Sequence, residues 1–211
     1  MIIHPVTQGS EAWHVLRSGR PTASDFHKLV TPKWKVKTGE GPETYLMEKL
    51  AECLTKWHPD ISSFAMEQGS LLEGEAIPFY EGTHDVKVQR VGFVTDDAMS
   101  YGCSPDGLIG EDGGVECKCP TPPKHLRYLL DGVLPEEYGP QVQGCMFVTG
   151  RPRWTFMSYC RKLPPLIVQV ERDPVAQAAI GAALDGWLAQ FRDAVKRINE
   201  MQPERLRGRA A

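Results

Sequence analysis

Residues 104–120, SPDGLIGEDGGVECKCP, carry Asp106, Glu116 and Lys118 on what reads as a strand, a glycine-rich turn and a return strand. With the turn centred on Asp112, antiparallel pairing sets Asp106 opposite Lys118 and Leu108 opposite Glu116. Positions of one parity share a face of a sheet, so Asp106, Glu116 and Lys118 project to the same side. Diagonal neighbours in such a hairpin lie about 7–8 Å apart at the backbone. Two carboxylates at that spacing can converge on a hard cation, and the backbone carbonyl of Cys117 is available to join them. Oxygen ligands with open positions suit Mg2+ or Mn2+, not Zn2+. Lys118 then sits beside the metal, placed to orient a water and to stabilise an anionic transition state. The competing reading is a solvated salt bridge between Glu116 and Lys118, a common and weak interaction.

Other elements must hold this hairpin. Ser10 can cap a short helix through EAWHVLRSG that Gly19 ends, and Thr22 can cap a second through ASDFHKLV. TPKWKVKTGEGP is a loop by its Pro, Gly and Lys content. ETYLMEKLAECLTKW is an amphipathic helix with Leu46, Leu50, Cys53 and Leu54 on one stripe, and a further helix runs from Gly69 to about Tyr80, interrupted near Pro78. DVKVQRVGFV alternates like a strand, LRYLL and PQVQGCMFV look helical, and RWTFMSYC and PLIVQVE are strands. Asp173 as N-cap and Pro174 at the first helical position open a long helix with Ile180, Leu184, Trp187, Leu188, Phe191, Val195 and Ile198 along one side. The sum is an α/β (α+β) fold, a central mixed five-stranded sheet flanked by helices.

The totals bound the class. The 211 residues suffice for one sizeable core, and no linker or repeat divides them, so a single domain over 1–211 is expected. Composition is that of a soluble globular protein: 41% hydrophobic and 24% charged residues, with a mean hydropathy of −0.33. No apolar run reaches membrane-spanning length, and MIIHPVTQGSEAW lacks the pattern of a secretory signal, which predicts a cytoplasmic protein. Six cysteines without a CxxC unit argue against a disulfide framework or a zinc ribbon; Cys117 and Cys119 are read as small buried hydrophobes, with metal ligation as the alternative. GEDGG is a hairpin turn and not a dinucleotide fingerprint. A net charge of −3 does not advertise nucleic-acid binding, but Lys33, Lys35 and Lys37 around Trp34, and Arg205, Arg207 and Arg209 in the tail, form two local basic stretches.

The Asp, then Glu-x-Lys arrangement on a hairpin resembles the PD-(D/E)XK nuclease core. QGSEAWHVLRSGRPTAS, GSLLEGEAIPFYE, SPDGL, ECKCP, PQVQGCMFVTG and VERD follow in order. Together they are similar to the phage lambda exonuclease and its viral-type recombination relatives over about residues 8–173. The resemblance implies a restriction-endonuclease-like core; within the single domain that core is expected over about 8–201, followed by the basic tail at 202–211. It implies a Mg2+-dependent enzyme, with Mn2+ as a substitute, that degrades one strand of duplex DNA from the 5′ end. A homotrimeric ring around double-stranded DNA ends and a single-strand annealing recombinase as partner come with it.

The same resemblance assigns Asp106 and Glu116 as metal-binding carboxylates and Lys118 as the catalytic lysine. Glu73 in GSLLEGEA matches a helix-borne glutamate facing the site, with Glu75 beside it as a rival. Arg17, Ser24 and Ser104 match positions that receive a terminal 5′ phosphate, where a guanidinium forks onto phosphate oxygens and hydroxyls add donors. Gln141 matches a glutamine lining the active site, whereas Gln143 points elsewhere on its helix. Met66 falls where a relative inserts an apolar side chain to split the terminal base pair. The rival functions are an endonuclease on the same core, a non-catalytic DNA-end binder, and an interaction protein whose Trp34 and Trp187 mark partner surfaces.

Overall fold

Two parallel strands cannot be joined by a tight turn, so the chain between them must cross over the sheet, and here that crossover carries part of the site. The computed structural model describes residues 1–57 and 64–201, and their side chains apart from those of 64–71 and 73. In chain order the elements are β1 (Ile2–His4), α1 (Glu11–Arg17), a 3-10 helix (Ala23–Lys28), α2 (Glu40–Thr55), α3 (Phe64–His84), β2 (Val88–Gln89), β3 (Phe93–Thr95) and β4 (Gly102–Cys103). There follow β5 (Gly107–Ile109), β6 (Gly113–Lys118), α4 (Pro122–Asp131), a second 3-10 turn (Glu136–Tyr138), α5 (Gly139–Thr149), β7 (Arg153–Ser158), β8 (Leu166–Glu171) and α6 (Pro174–Met201).

The main sheet has five strands in the order β2-β5-β6-β7-β8. Among the described residues of this sheet only β6 and β7 are parallel, and α4 and α5 occupy their crossover. The sheet is therefore mixed, as expected from the sequence. β1, β3 and β4 form a separate three-stranded sheet. The alternating DVKVQRVGFV segment is thus not one strand: it breaks after Gln89, and β2 and β3 join different sheets. Between the two strands the chain passes close to Val6 at Gly92, where an added Cβ would lie 1.7 Å from the Val6 carbonyl oxygen. Only glycine admits so close a backbone approach.

β6 is central and covered on both faces. Val115 and Cys117 pack with Ala76, Ile77 and Tyr80 of α3, Val88 and Met157. The opposite side holds Leu108, Trp154 and Phe156 against Val142, Cys145 and Met146 of α5 and Ile180, Leu184 and Trp187 of α6. The 28-residue α6 opens as expected: Asp173 Oδ1 accepts the backbone N–H groups of Val175 at 2.8 Å and Ala176 at 3.4 Å. Its apolar stripe is buried from Ala176 to Trp187, partly buried at Leu188, Phe191 and Val195, and exposed at Ile198. Pro78 lies within α3 without ending it. No helix among the described residues is long and apolar enough to cross a membrane.

The hairpin register differs from the expected one. Gly107 pairs with Val115, Leu108 with Gly114 and Ile109 with Gly113, so the turn centres on Glu111 rather than Asp112. Continued one step, this register sets Asp106 across from Glu116 and not from Lys118. Moving the centre by one place shifts each pairing by two residues, which preserves parity and leaves all three side chains on one face.

Candidate active site

Glu116 is a carboxylate in the middle of a central strand and is only 2% exposed. Burying such a charge is costly unless it is paired. Lys118 Nζ lies 2.7 Å from its Oε1, and Gln141 Nε2, from the first turn of α5, donates to the same oxygen at 2.5 Å. The ion pair weighed as an alternative therefore exists, but in the interior and not in solvent. Asp106 lies just before β5, where its Oδ2 accepts the backbone N–H of Cys117 at 2.6 Å. Burial pushes the Asp106 carboxyl above its usual range, against the opposing pull of Lys118, the Cys117 N–H and Arg90. Burial alone would depress the Lys118 ammonium, but Glu116 and Asp106 outweigh it and hold that group well above the ordinary lysine value. The Tyr138 ring lies 5.5 Å from the same ammonium.

Arg17 ends α1 and points into the same space. Its Nη1 donates to Ser104 Oγ at 3.1 Å, and its Nη2 to Thr22 Oγ1 at 3.2 Å and Ser24 Oγ at 3.4 Å. The guanidinium carbon sits 4.4 Å from the centre of the Trp13 ring. Burial lowers the Arg17 pKa, with Asp25 and Tyr45 opposing. Among the described residues its hydrogen-bond partners are hydroxyls, not carboxylates, so a half-desolvated cation faces the cleft with its charge uncompensated at contact range. That is a setting for an anion.

Local packing fixes these parts. Ser10 Oγ accepts the Trp13 N–H at 3.3 Å and starts α1, while Gly19, at φ +69°, follows its end. Glu52 Oε2 accepts the Gly19 N–H at 2.9 Å and is itself paired with Lys49 Nζ at 2.9 Å, which ties α1 to α2. The second expected helix is a 3-10 helix, and Thr22 does not cap it through its side chain. The Thr22 hydroxyl instead meets Arg17 and donates to Asp25 Oδ2 at 3.3 Å. Gly144 lets α5 approach this 3-10 helix: a Cβ there would lie 2.6 Å from Phe26.

Asp106, Glu116, Lys118, Arg17, Ser24, Ser104 and Gln141 all line one cleft of about 460 Å3. Met66 and Glu73 lie on α3 with side chains outside the described ones. Glu75 does not line the cleft; its carboxylate takes both Arg161 Nε, at 2.8 Å, and Nη2. Gln143 is structural, bridging the Glu171 carbonyl at 2.9 Å and the Asp173 N–H at 3.1 Å. Cys117 is buried in the smaller core, with its Sγ 4.0 Å from that of Cys119, and no three-residue His/Cys/Asp/Glu metal cluster occurs among the described residues. Lys33, Lys35 and Lys37 are exposed, and the tail from 202 lies outside the described residues.

Sequence reasoning missed Gln8, Trp13 and Cys145 on the cleft wall. Gln8 Nε2 donates to the carbonyls of Val91 at 3.2 Å and Pro105 at 3.0 Å, bracing the segment that delivers Asp106. Trp13 precedes Arg17 by four positions, a helical spacing that places the two on one face and was a usable signal.

A family model described as the YqaJ-like viral recombinase domain matches residues 12–152. Among solved structures, the chain is similar to an alkaline exonuclease (LHK-Exo) from Laribacter hongkongensis, at 28% identity and a TM-score of 0.82, over 90% of this chain and 97% of that one. LHK-Exo in complex with dAMP aligns at 30% identity with the same TM-score of 0.82 and the same coverage, 90% and 97%. A phage related exonuclease from Haemophilus somnus 129PT aligns at 12% identity and a TM-score of 0.65, over 88% of this chain and 99% of that one, a likeness of fold alone. No curated protein matches.

Proposed function

Because the chain belongs to the YqaJ-like viral recombinase domain family, we propose that it is a Mg2+-dependent exonuclease acting on the ends of linear double-stranded DNA. In this reading it degrades one strand from the 5′ end and leaves 3′ single strands for recombination by annealing. The observation that carries it is the union, in one cleft, of a hydroxyl-bound Arg17 with the Asp106, Glu116 and Lys118 group. One half suits a terminal phosphate and the other suits a phosphodiester next to it.

The donor set fits a hard divalent cation. Asp106, Glu116 and the Cys117 carbonyl present oxygen, and burial disfavours charge on Asp106, a penalty that a cation relieves. These residues, with Glu73, would hold Mg2+ or Mn2+, which supplies charge stabilisation at a phosphate and a more acidic bound water. Lys118 presents an ammonium to the cleft, where it donates to an anionic oxygen and adds positive charge as the transition state gains negative charge. Gln141 steadies the Glu116 oxygen that Lys118 also holds, so the two donors fix the carboxylate's orientation. Arg17, Ser24 and Ser104 bind the terminal 5′ phosphate and set which bond is presented. Met66 is the candidate wedge that parts the terminal base pair.

In this reading 1–211 is one nuclease domain of a cytoplasmic protein; the homotrimeric ring and the single-strand annealing recombinase as partner rest on the family resemblance. The test uses linear duplex labelled at one 3′ end, carrying 5′ phosphate or 5′ hydroxyl, with Mg2+, beside a supercoiled circle and the Lys118→Ala protein. Digestion of linear DNA only, faster with phosphate and abolished in Lys118→Ala, is the expected result. Cutting of the circle would transfer the chemistry to an endonuclease. Binding of linear DNA without turnover by the unmodified protein would leave only an end binder.

A further inference from the structure

Among the described residues Ser104 Oγ has two partners, and both can only donate. Trp13 Nε1 reaches it at 2.9 Å and Arg17 Nη1 at 3.1 Å. A hydroxyl has two acceptor positions and one proton, and indole and guanidinium N–H groups have no acceptor capacity. Both acceptor positions of Ser104 are therefore taken, and its proton must leave in a third direction. Among the described residues no acceptor receives it, and Ser104 lines the cleft. Thr22 makes the contrast: it also accepts from Arg17, at 3.2 Å, but returns its proton to Asp25 at 3.3 Å.

Trp13 is itself held in place. Its Nε1 also donates to the Gly92 carbonyl at 3.2 Å, and its ring lies against the Arg17 guanidinium at 4.4 Å. One side chain thus orients both a cation and a hydroxyl of the same pocket. We propose that Trp13 is a positioning residue that sets the hydrogen-bond polarity of the end pocket. Its N–H commits Ser104 to donate into the cleft, so the pocket favours an acceptor-only terminal phosphate over a 5′ hydroxyl. This rests on the reading of Arg17, Ser24 and Ser104 as a 5′-phosphate site. Without the indole N–H, a Ser104 lone pair becomes available and a 5′ hydroxyl can donate to it.

The experiment measures binding of a short duplex bearing 5′ phosphate or 5′ hydroxyl by fluorescence anisotropy in EDTA, so that no cleavage intervenes. The readout is the ratio of the two Kd values on each protein, which cancels changes in overall stability. The unmodified protein should prefer phosphate. Trp13→Phe keeps a ring beside Arg17 but has no N–H, and its ratio should fall roughly tenfold, the scale of one hydrogen bond to a charged group. Ser104→Ala should lower the ratio similarly, and Trp13→Phe should add nothing in the Ser104→Ala background. An unchanged ratio in either single variant, or additive losses in the double variant, would overturn the proposal. No preference in the unmodified protein would instead overturn the phosphate-site reading itself, and this role of Trp13 with it.

Discussion

Gly114 offers a sharp test of how the acidic strand is held. It lies on β6 two residues before Glu116 and on the same face, directly over the fully buried Trp154. A Cβ at Gly114 would lie 2.4, 2.4 and 2.6 Å from three ring atoms of that indole. Ordinary contact requires at least about 3.5 Å, so the strand or the ring must retreat by roughly 1 Å. Overpacking of this kind costs typically about 1–3 kcal/mol, and three rigid atoms met at once place Gly114→Ala near the upper end. Replacing glycine in a strand returns roughly 0.5–1 kcal/mol of chain entropy. The net loss should be about 2 kcal/mol, or roughly 4–8 °C in Tm for a chain of this size. Urea unfolding followed by tryptophan fluorescence should show a lower midpoint at unchanged slope. Adding Trp154→Phe, which removes part of the opposing ring, should make the pair less destabilised than the sum of the two single changes. Stability of Gly114→Ala at or above that of the unmodified protein would refute the steric argument, as would strict additivity in the pair.

Asp106→Asn should abolish nuclease activity yet leave the metal-free protein at least as stable near neutral pH. Because burial raises the Asp106 pKa in the folded state, the unmodified chain should lose stability relative to Asp106→Asn as pH rises from the ordinary carboxylate value through the raised one, which melts in EDTA across that range would detect. Arg151 Nη1 donates to the carbonyls of Ile109, Gly110 and Gly113 at 3.3, 2.8 and 2.6 Å. Arg151→Met should therefore cost about 1–3 kcal/mol and speed amide exchange selectively in the β5–β6 hairpin. Asp173→Ala should cost about 1 kcal/mol through loss of the α6 cap, with DNA digestion at 25 °C unchanged.

Period-two alternation made the common face of Asp106, Glu116 and Lys118 legible, because a pairing error of two residues cannot move a side chain to the other face. The Asp173–Pro174 start of α6 was equally local and equally readable. What escaped depends on contacts distant in sequence. One apparent strand serves two sheets, with Gly92 passing close to Val6 between them, and nothing near Gly92 announces it. On α2 the expected stripe included Cys53, which is exposed, and omitted Lys49 and Glu52, which are buried as an ion pair under Gly19. A paired internal charge and a solvated one look alike until the partner is known. Arg17, Ser24, Ser104 and Gln141, which line one cleft, were assigned through resemblance, since four residues drawn from separate segments leave no spacing to read.

The strand order β2-β5-β6-β7-β8 leaves the sheet with two unlike borders. β2 offers two residues, too few to template another chain. β8 offers six, LIVQVE, and among the described residues it pairs with β7 alone. An apolar border of that length invites misassembly between copies when protein is concentrated. Pro164 and Pro165 stand immediately before it and Pro174 shortly after, and none of them can donate to a growing ladder. Gln169 and Glu171 add polarity along its exposed side. The strand is thereby stopped at both ends by residues that cannot propagate a cross-chain sheet, which protects a protein whose acidic site depends on the neighbouring strands staying in register.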